Sequence, residues 1–398
     1  MRKPMIAAML ALAPATMAIA AESVSPMERL VHEQMLVLDT HLDTPALLER
    51  EGWDFGDLHH YAWDLSQVDL PRMKAGGLDG GFFVIYTPQG PLTPEGYAAA
   101  RTAALKRAAA IQRMVAAHPD EMALATRADD AERLAAAGKR IIYQSIENSY
   151  PLGTDLSMLQ TFHALGVRMA SPVHSRNNQF ADSTTDTPKW KGLSPLGRQW
   201  VAEMNRLGMV IDASHASDQA FDQLLALSKT PIILSHSGPK ALFDHPRNLD
   251  DERMRKLAAA GGVMQINSIF LVRHDTSDER GAMEERQAAF ATLDPEARRR
   301  LLADKAALDA RQPYTTATFE LFMKSLLHAI EVMGVDHVGI GADWDGGGGV
   351  IGMEDVADLP KITARLLEAG YSEADVQKIW GGNVLRLLRQ AEAAAGKR

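Results

Sequence analysis

The chain has 398 residues, 46% of them hydrophobic, a formal net charge of -9 with acids and bases interspersed, and no cysteine. That composition excludes a disordered chain, a basic nucleic-acid-binding surface, a disulfide framework and thiolate chemistry. The length fits one large barrel of alternating strands and helices, as well as two smaller domains.

Arg2 and Lys3, an apolar run from Met5 and the small residues Ala18-Ile19-Ala20 read as a cleavable secretory signal over residues 1–20. The run is short and contains Pro14, which argues against a membrane anchor. There is no cysteine to lipidate and no apolar tail at the C-terminus. The expectation is an exported, periplasmic protein with no stable membrane anchor, its working domain spanning 21–398.

Beyond the leader, short β-prone runs alternate with segments of helical period. The first strand runs from about Met35 to Asp43 and is stopped by Pro45. Residues two apart on a strand share a face, so His41 and Asp43 project together. Further strands are expected at 80–86, 140–147, 167–174, 209–215, 231–236, 263–267 and 337–343. Helices are expected at 97–117, 128–137, 196–207 and 218–227, with Gly166, Gly208, Gly261 and Gly334 where helices end. Eight strands in alternation with helices predict an α/β fold, a single (β/α)8 TIM barrel. Residues 273–311, dense in charge and alanine, read as a helical insertion after strand 7, on the active face. The four glycines at 346–349 read as a mobile loop.

The strand ends share a chemistry. They carry His41 and Asp43, Glu147, His174, His215, His236, Asn267 and Asp343. In a parallel barrel these ends meet at one mouth. Any one of them could be a satisfied polar residue, as His163 and His328 on expected helices are taken to be. Buried charges are costly alone, and a bound cation is the simplest compensation for several carboxylates together. The set exceeds the needs of one zinc. It divides into His41 and Asp43 on one ion and His215 and His236 on another, with Glu147 bridging and a hydroxide shared between two Zn2+. No Gly-X-Ser-X-Gly elbow offers a covalent route.

Several stretches together resemble the membrane (renal) dipeptidase family of zinc peptidases. They are Asp39-Thr40-His41-Leu42-Asp43-Thr44-Pro45, Ser145-Ile146-Glu147-Asn148, Asp212-Ala213-Ser214-His215-Ala216-Ser217, Leu234-Ser235-His236-Ser237 and Ile340-Gly341-Ala342-Asp343-Trp344-Asp345-Gly346. The match continues through Glu354-Asp355-Val356 and Gly382-Asn383-Val384-Leu385-Arg386. The resemblance implies the same five metal ligands and hydrolysis of dipeptides, and leaves open a D-residue at the C-terminal position and a homodimer. It also implies His174 as the contact to the scissile carbonyl oxygen, Arg247 as the receiver of the substrate carboxylate, and Asp343 as the acid/base. The chain departs from vertebrate members in Asn267-Ser268-Ile269-Phe270, where a tyrosine follows the asparagine in them, and in the 273–311 insertion. Two alternatives remain from the residues alone: a binuclear hydrolase of N-acyl amino acids, lactones or β-lactams, and an exported zinc-binding protein without activity.

Overall fold

The computed structural model describes residues 24–395, and the expected leader, 1–20, lies outside the described residues. These residues form nine strands: β1 (Leu38–Leu42), β2 (Gly80–Tyr86), β3 (Met122–Leu124), β4 (Arg140–Glu147), β5 (Val167–Ala170), β6 (Val210–Ile211), β7 (Ile233–Ser237), β8 (Val263–Ile266) and β9 (Val338–Ile340). One sheet runs β1-β2-β4-β5-β6 and a second β7-β8-β9, every pairing parallel. Parallel bridges from Asp212 to Ile233 and from Leu42 to Trp344 join the two sheets at both seams. Eight parallel strands thus close into a ring with helices outside, the (β/α)8 barrel. β3 is an addition that pairs with the start of β4; three residues are too few for its alternation to show in the sequence.

The strands are buried on both faces, which is why they read as nearly unbroken apolar runs. Phe82, Phe83, Val84 and Ile85 of β2 are all fully enclosed. Helices are set by their caps: Ser194, Ser217 and Asp250 each accept a backbone N–H in the first turn of Pro195–Leu207, Asp218–Leu227 and Asp251–Ala259. Gly208, at φ 71, ends the first of these helices in the left-handed conformation a glycine adopts without strain.

One end of the barrel is plugged. Leu38, Phe82, Tyr143, Met169, Val210, Ile233 and Val263 cluster with Val384, Leu385, Leu388 and Ala391 of the C-terminal helix Asn383–Ala394. Asn383 Nδ2 donates to the carbonyls of Val335 and Val338, and Arg386 to those of Gly261 and Asp336, so this helix is tied where β8 and β9 begin. The Gly382–Arg386 stretch is therefore structural, and the opposite mouth is left for chemistry.

Three expected strands end early. β5 stops at Ala170, β6 at Ile211 and β9 at Ile340, so His174, His215 and Asp343 sit on loops beyond the ladder. Asp343 and Asp345 have φ of 67° and 64°, and no strand can run through such a backbone. The 273–311 segment contains helices Asp278–Ala288 and Pro295–Arg311 around a small core of Met283, Phe290, Leu301 and Leu308, with Leu65 packed against it. The four-glycine run differs from the mobile loop expected. Gly348 N donates to Asp343 O, Gly349 N to Ser268 Oγ, and Gln67 Nε2 to Gly348 O, so the turn is tied at each step. Among the described residues no helix is long and apolar enough to cross a membrane.

Candidate metal centre and substrate cup

Side chains from β1, β2, β4 and β7 and from loops that follow strands meet at the open mouth, around a cavity of about 790 Å³. Glu147, the last residue of β4, is at the centre. Its Oε1 lies 2.9 Å from His215 Nε2 and 3.3 Å from His236 Nε2, while its Oε2 lies 3.7 Å from His41 Nε2. His41 Nε2 is in turn 3.4 Å from Asp43 Oδ2 and 4.0 Å from Asp343 Oδ1. His174 Nε2 stands 3.7 Å from Glu147 Oε1, its ring against Tyr86 and His215. The residues expected at strands one, three, four, five, six and eight are therefore brought together. Asn267 is not: its side-chain amide is buried, without a partner among the described residues, and does not line the cavity. His328 pairs with Asp251 on the outside, as a surface histidine would.

The donor set fits cations. His215 Nε2 and His236 Nε2 face each other at 3.0 Å. Ser235 Oγ donates to Asp212 Oδ2 at 2.6 Å and so accepts from His236 Nδ1 at 2.8 Å, which leaves the lone pair of His236 on Nε2. Burial pushes both imidazoles well below the usual histidine range, reinforced by Arg247 at His215 and by His41 at His236, so both are neutral. Burial alone would raise Glu147, but the neighbouring imidazoles, His174 and His41 foremost, hold it well below the usual carboxylate range. His41 moves the other way: Glu147 and Asp43 outweigh its burial and raise it. Burial, helped by Asp43 and Glu147, pushes Asp343 up to about 8 against the pull of His41. Three overlapping triads have all their donor atoms within 4.8 Å of one another: His41–Glu147–His236, Glu147–His174–His215 and His41–Asp43–Asp343. Crowded lone pairs and carboxylate oxygens repel one another unless positive charge is placed among them, and imidazole with carboxylate is a donor set zinc accepts.

Backbone strain and close packing hold the acids in place. The left-handed φ of Asp343 costs on the order of 1 kcal/mol. Gly346 follows at a point where a Cβ would lie 2.2 Å from both Asp343 Oδ1 and Asp43 Oδ2, so only glycine fits. Asp39 accepts the backbone N–H of His41 and of Ala342, linking the first and last ligand segments.

Arg247 lies in the loop after β7, 4% exposed. It donates through Nη1 to Ser214 O, and through Nη2 to His236 O and His215 Nε2, and its guanidinium lies over Phe270 at 5.3 Å. No carboxylate among the described residues pairs with it and its Nε has no partner, so it faces the cup as a buried cation; burial lowers its pKa to about 10. Tyr86, His245, His274, Tyr314 and Asp345, which are not among the expected site residues, also line the cavity. Tyr86 ends the second expected strand and Asp345 follows Asp343 by two, so position marked both of them. His274 lies at the start of the insertion and Tyr314 just past its end, and neither carries such a signal.

The family model for membrane dipeptidase (peptidase family M19) matches residues 27–398. The dipeptidase tcpJ of Claviceps purpurea is 33% identical over 334 residues, which cover 82% of this chain and 70% of that protein. The probable dipeptidase PvdM from Pseudomonas aeruginosa has a similar solved structure, with a TM-score of 0.79 at 31% identity, covering 93% of this chain and 98% of that one. A metallo peptidase from Rhodobacter sphaeroides, solved with a phosphinate mimic of the dipeptide L-Ala-D-Ala, gives a TM-score of 0.71 at 27% identity over 89% of this chain and 99% of that one. The chain belongs to the membrane dipeptidase family, peptidase family M19, and is a metal-dependent dipeptidase.

Proposed function

We propose that the chain is a binuclear zinc dipeptidase in which His41 and Asp43 hold one ion, His215 and His236 hold the other, and Glu147 bridges them. The observation that carries this is the division of the Glu147 carboxylate, with Oε1 toward His215 and His236 and Oε2 toward His41. When bound, the two ions supply an acidified water as nucleophile near neutral pH and Lewis acidity toward the scissile carbonyl. His174, partly exposed at the cup wall, stands where it can donate to the carbonyl oxygen as charge develops there. Asp343, whose pKa of about 8 lies close to neutrality, would in its ionised form take the proton from the attacking water and then deliver it to the leaving amine. Arg247 receives the free carboxylate of the C-terminal residue, which confines the enzyme to very short peptides.

The dipeptide mimic held by the Rhodobacter sphaeroides relative supports acceptance of a D-residue at the C-terminal position. The charged, apolar and small-residue regions of 1–20 support export to a periplasm. The test is a panel of L,L- and L,D-dipeptides, each offered free and C-terminally amidated. Arg247→Ala is expected to depress turnover of the free peptides and leave the residual rate on amidated ones unchanged. Equal loss on both contradicts the clamp.

A further inference from the structure

A second cavity, of about 720 Å³, lies against the cup and shares Tyr314, Asp345, Gly346 and Gly347 with it as walls. The remaining walls come from the 273–311 insertion, with Arg280, Lys305 and Asp309, and from the segment after β1, with Arg50 and Tyr61. Two of these cations are neutralised. Arg280 pairs with Asp275 and Asp309, and Lys305 with Asp309. Arg50 is different. It is half-buried, its Nη1 donates to the main-chain oxygen of Asp64 at 2.6 Å, and its guanidinium lies over Phe290 at 5.1 Å. No carboxylate among the described residues lies within 4.0 Å of it, and Asp64 and Asp345 act on it only from farther away. Of the acids on the chamber wall without a salt bridge, Glu284 and Glu354 are exposed at its rim, where solvent screens them, and Asp345 in the shared wall accepts from Thr44 Oγ1 and Gln67 N. A guanidinium withdrawn from water and left without an anion is a receptor for one.

The chamber's place against the cup decides which part of a substrate reaches it. Gly346 abuts Asp43 and Asp343, so the shared wall begins beside one ligand proposed for the first ion and the proposed acid/base. Arg247 is at the other end, under Phe270, and two ring-to-ring steps of 6.3 and 4.7 Å through His274 separate Phe270 from Tyr314. A dipeptide with its terminal carboxylate on Arg247 thus presents its N-terminal residue to the chamber.

We propose that this chamber is the side-chain subsite for the N-terminal residue, and that Arg50 selects dipeptides whose first side chain ends in a carboxylate. Arg50 lines the chamber but not the cup, so a glutamyl side chain, one methylene longer and better able to reach past Gly346 and Gly347, is favoured over an aspartyl one. The proposal rests on the dipeptidase reading with Arg247 as the C-terminal clamp.

The test compares kcat/KM for L-Glu-L-Ala, L-Gln-L-Ala, L-Ala-L-Ala and L-Ala-L-Glu with the metal-loaded enzyme, Arg50→Gln and Arg50→Lys. The wild type is expected to prefer L-Glu-L-Ala over L-Gln-L-Ala. Arg50→Gln is expected to collapse that ratio roughly ten- to hundredfold, as loss of a charge-assisted hydrogen bond does, and Arg50→Lys to keep most of it. A ratio is unaffected by the fraction of variant that folds, so a merely structural Arg50, bracing Asp64, would lower all four rates together. That outcome, a wild type without glutamyl preference, or a loss confined to L-Ala-L-Glu overturns the subsite while leaving the dipeptidase reading intact. A wild type that hydrolyses none of the four overturns both.

Discussion

Ser235→Ala tests whether the hydrogen-bond layer behind the ligands prepares the site for metal. Ser235 Oγ is fully buried, donates to Asp212 Oδ2 at 2.6 Å and accepts from His236 Nδ1 at 2.8 Å. Asp212 keeps its Oδ1 bonds from Ser214 N, Ser214 Oγ and Ser235 N in the variant, so the loop is still held. What is lost falls on Asp212 Oδ2, which loses its hydroxyl donor, and on His236, whose Nδ1–H is left in a buried site without an acceptor. That omission costs on the order of 1–3 kcal/mol and frees the ring to change tautomer. Loss of such a supporting bond typically weakens metal binding by about 10- to 100-fold. The hydroxyl is 3.5 Å from His41 Nδ1, too long for a good bond, so the ion on His41 and Asp43 is expected to be held nearly as before. Competition of wild type and variant against a zinc-binding dye reads both ions, and Ser235→Thr, which retains the hydroxyl, is expected to restore the weakened one. Unchanged affinity at both positions, or equal weakening of both, refutes the reasoning.

Other outcomes follow from the same geometry. Asp343→Asn is expected to keep both ions and lose turnover by about 10²- to 10⁴-fold, since it removes a proton carrier; elemental analysis beside a rate measurement separates this from simple metal loss. Gly346→Ala places a methyl group 2.2 Å from Asp43 Oδ2 and Asp343 Oδ1 and is expected to lower activity on the order of a hundredfold with unchanged circular dichroism; wild-type turnover would show that the acids tolerate displacement. His32 is buried between Thr363 Oγ1 and Gly76 O, and burial lowers its pKa to about 4 from 6.5. The fold therefore binds this proton less readily than the unfolded chain does. The stabilisation is full above pH 6.5 and declines as pH falls toward 4, by about 3 kcal/mol in all. Urea unfolding of His32→Gln should lose that part of the pH dependence, and an identical pH slope in wild type and variant would count against it.

The barrel was legible because strands enclosed on both faces must be apolar throughout, and polar residues at their ends then stand out. His41 and His236, inside β1 and β7, were readable to the residue. His174, His215 and Asp343 were read as strand residues but sit on loops, since nothing in a polar sequence marks where a ladder's last hydrogen bond falls. Tyr86 was overlooked although it ends β2, because an aromatic at a strand end reads as core. The hydrogen bonds of Asp212 and Ser235 lay within recognised motifs, but their role depends on which atom faces which. The second chamber had no signature at all. It exists because Leu65 packs on the insertion's small core and Lys305 stacks over Tyr61, contacts between segments some 240 positions apart.

The most direct measurement is the anomalous difference density at the zinc edge in crystals of the metal-loaded enzyme. Two peaks about 3.5–4 Å apart are expected, one within bonding distance of His41 and Asp43, the other of His215 and His236, with one Glu147 oxygen on each. A single peak in fully active enzyme, or two peaks of which Glu147 touches only one, would contradict the bridged pair.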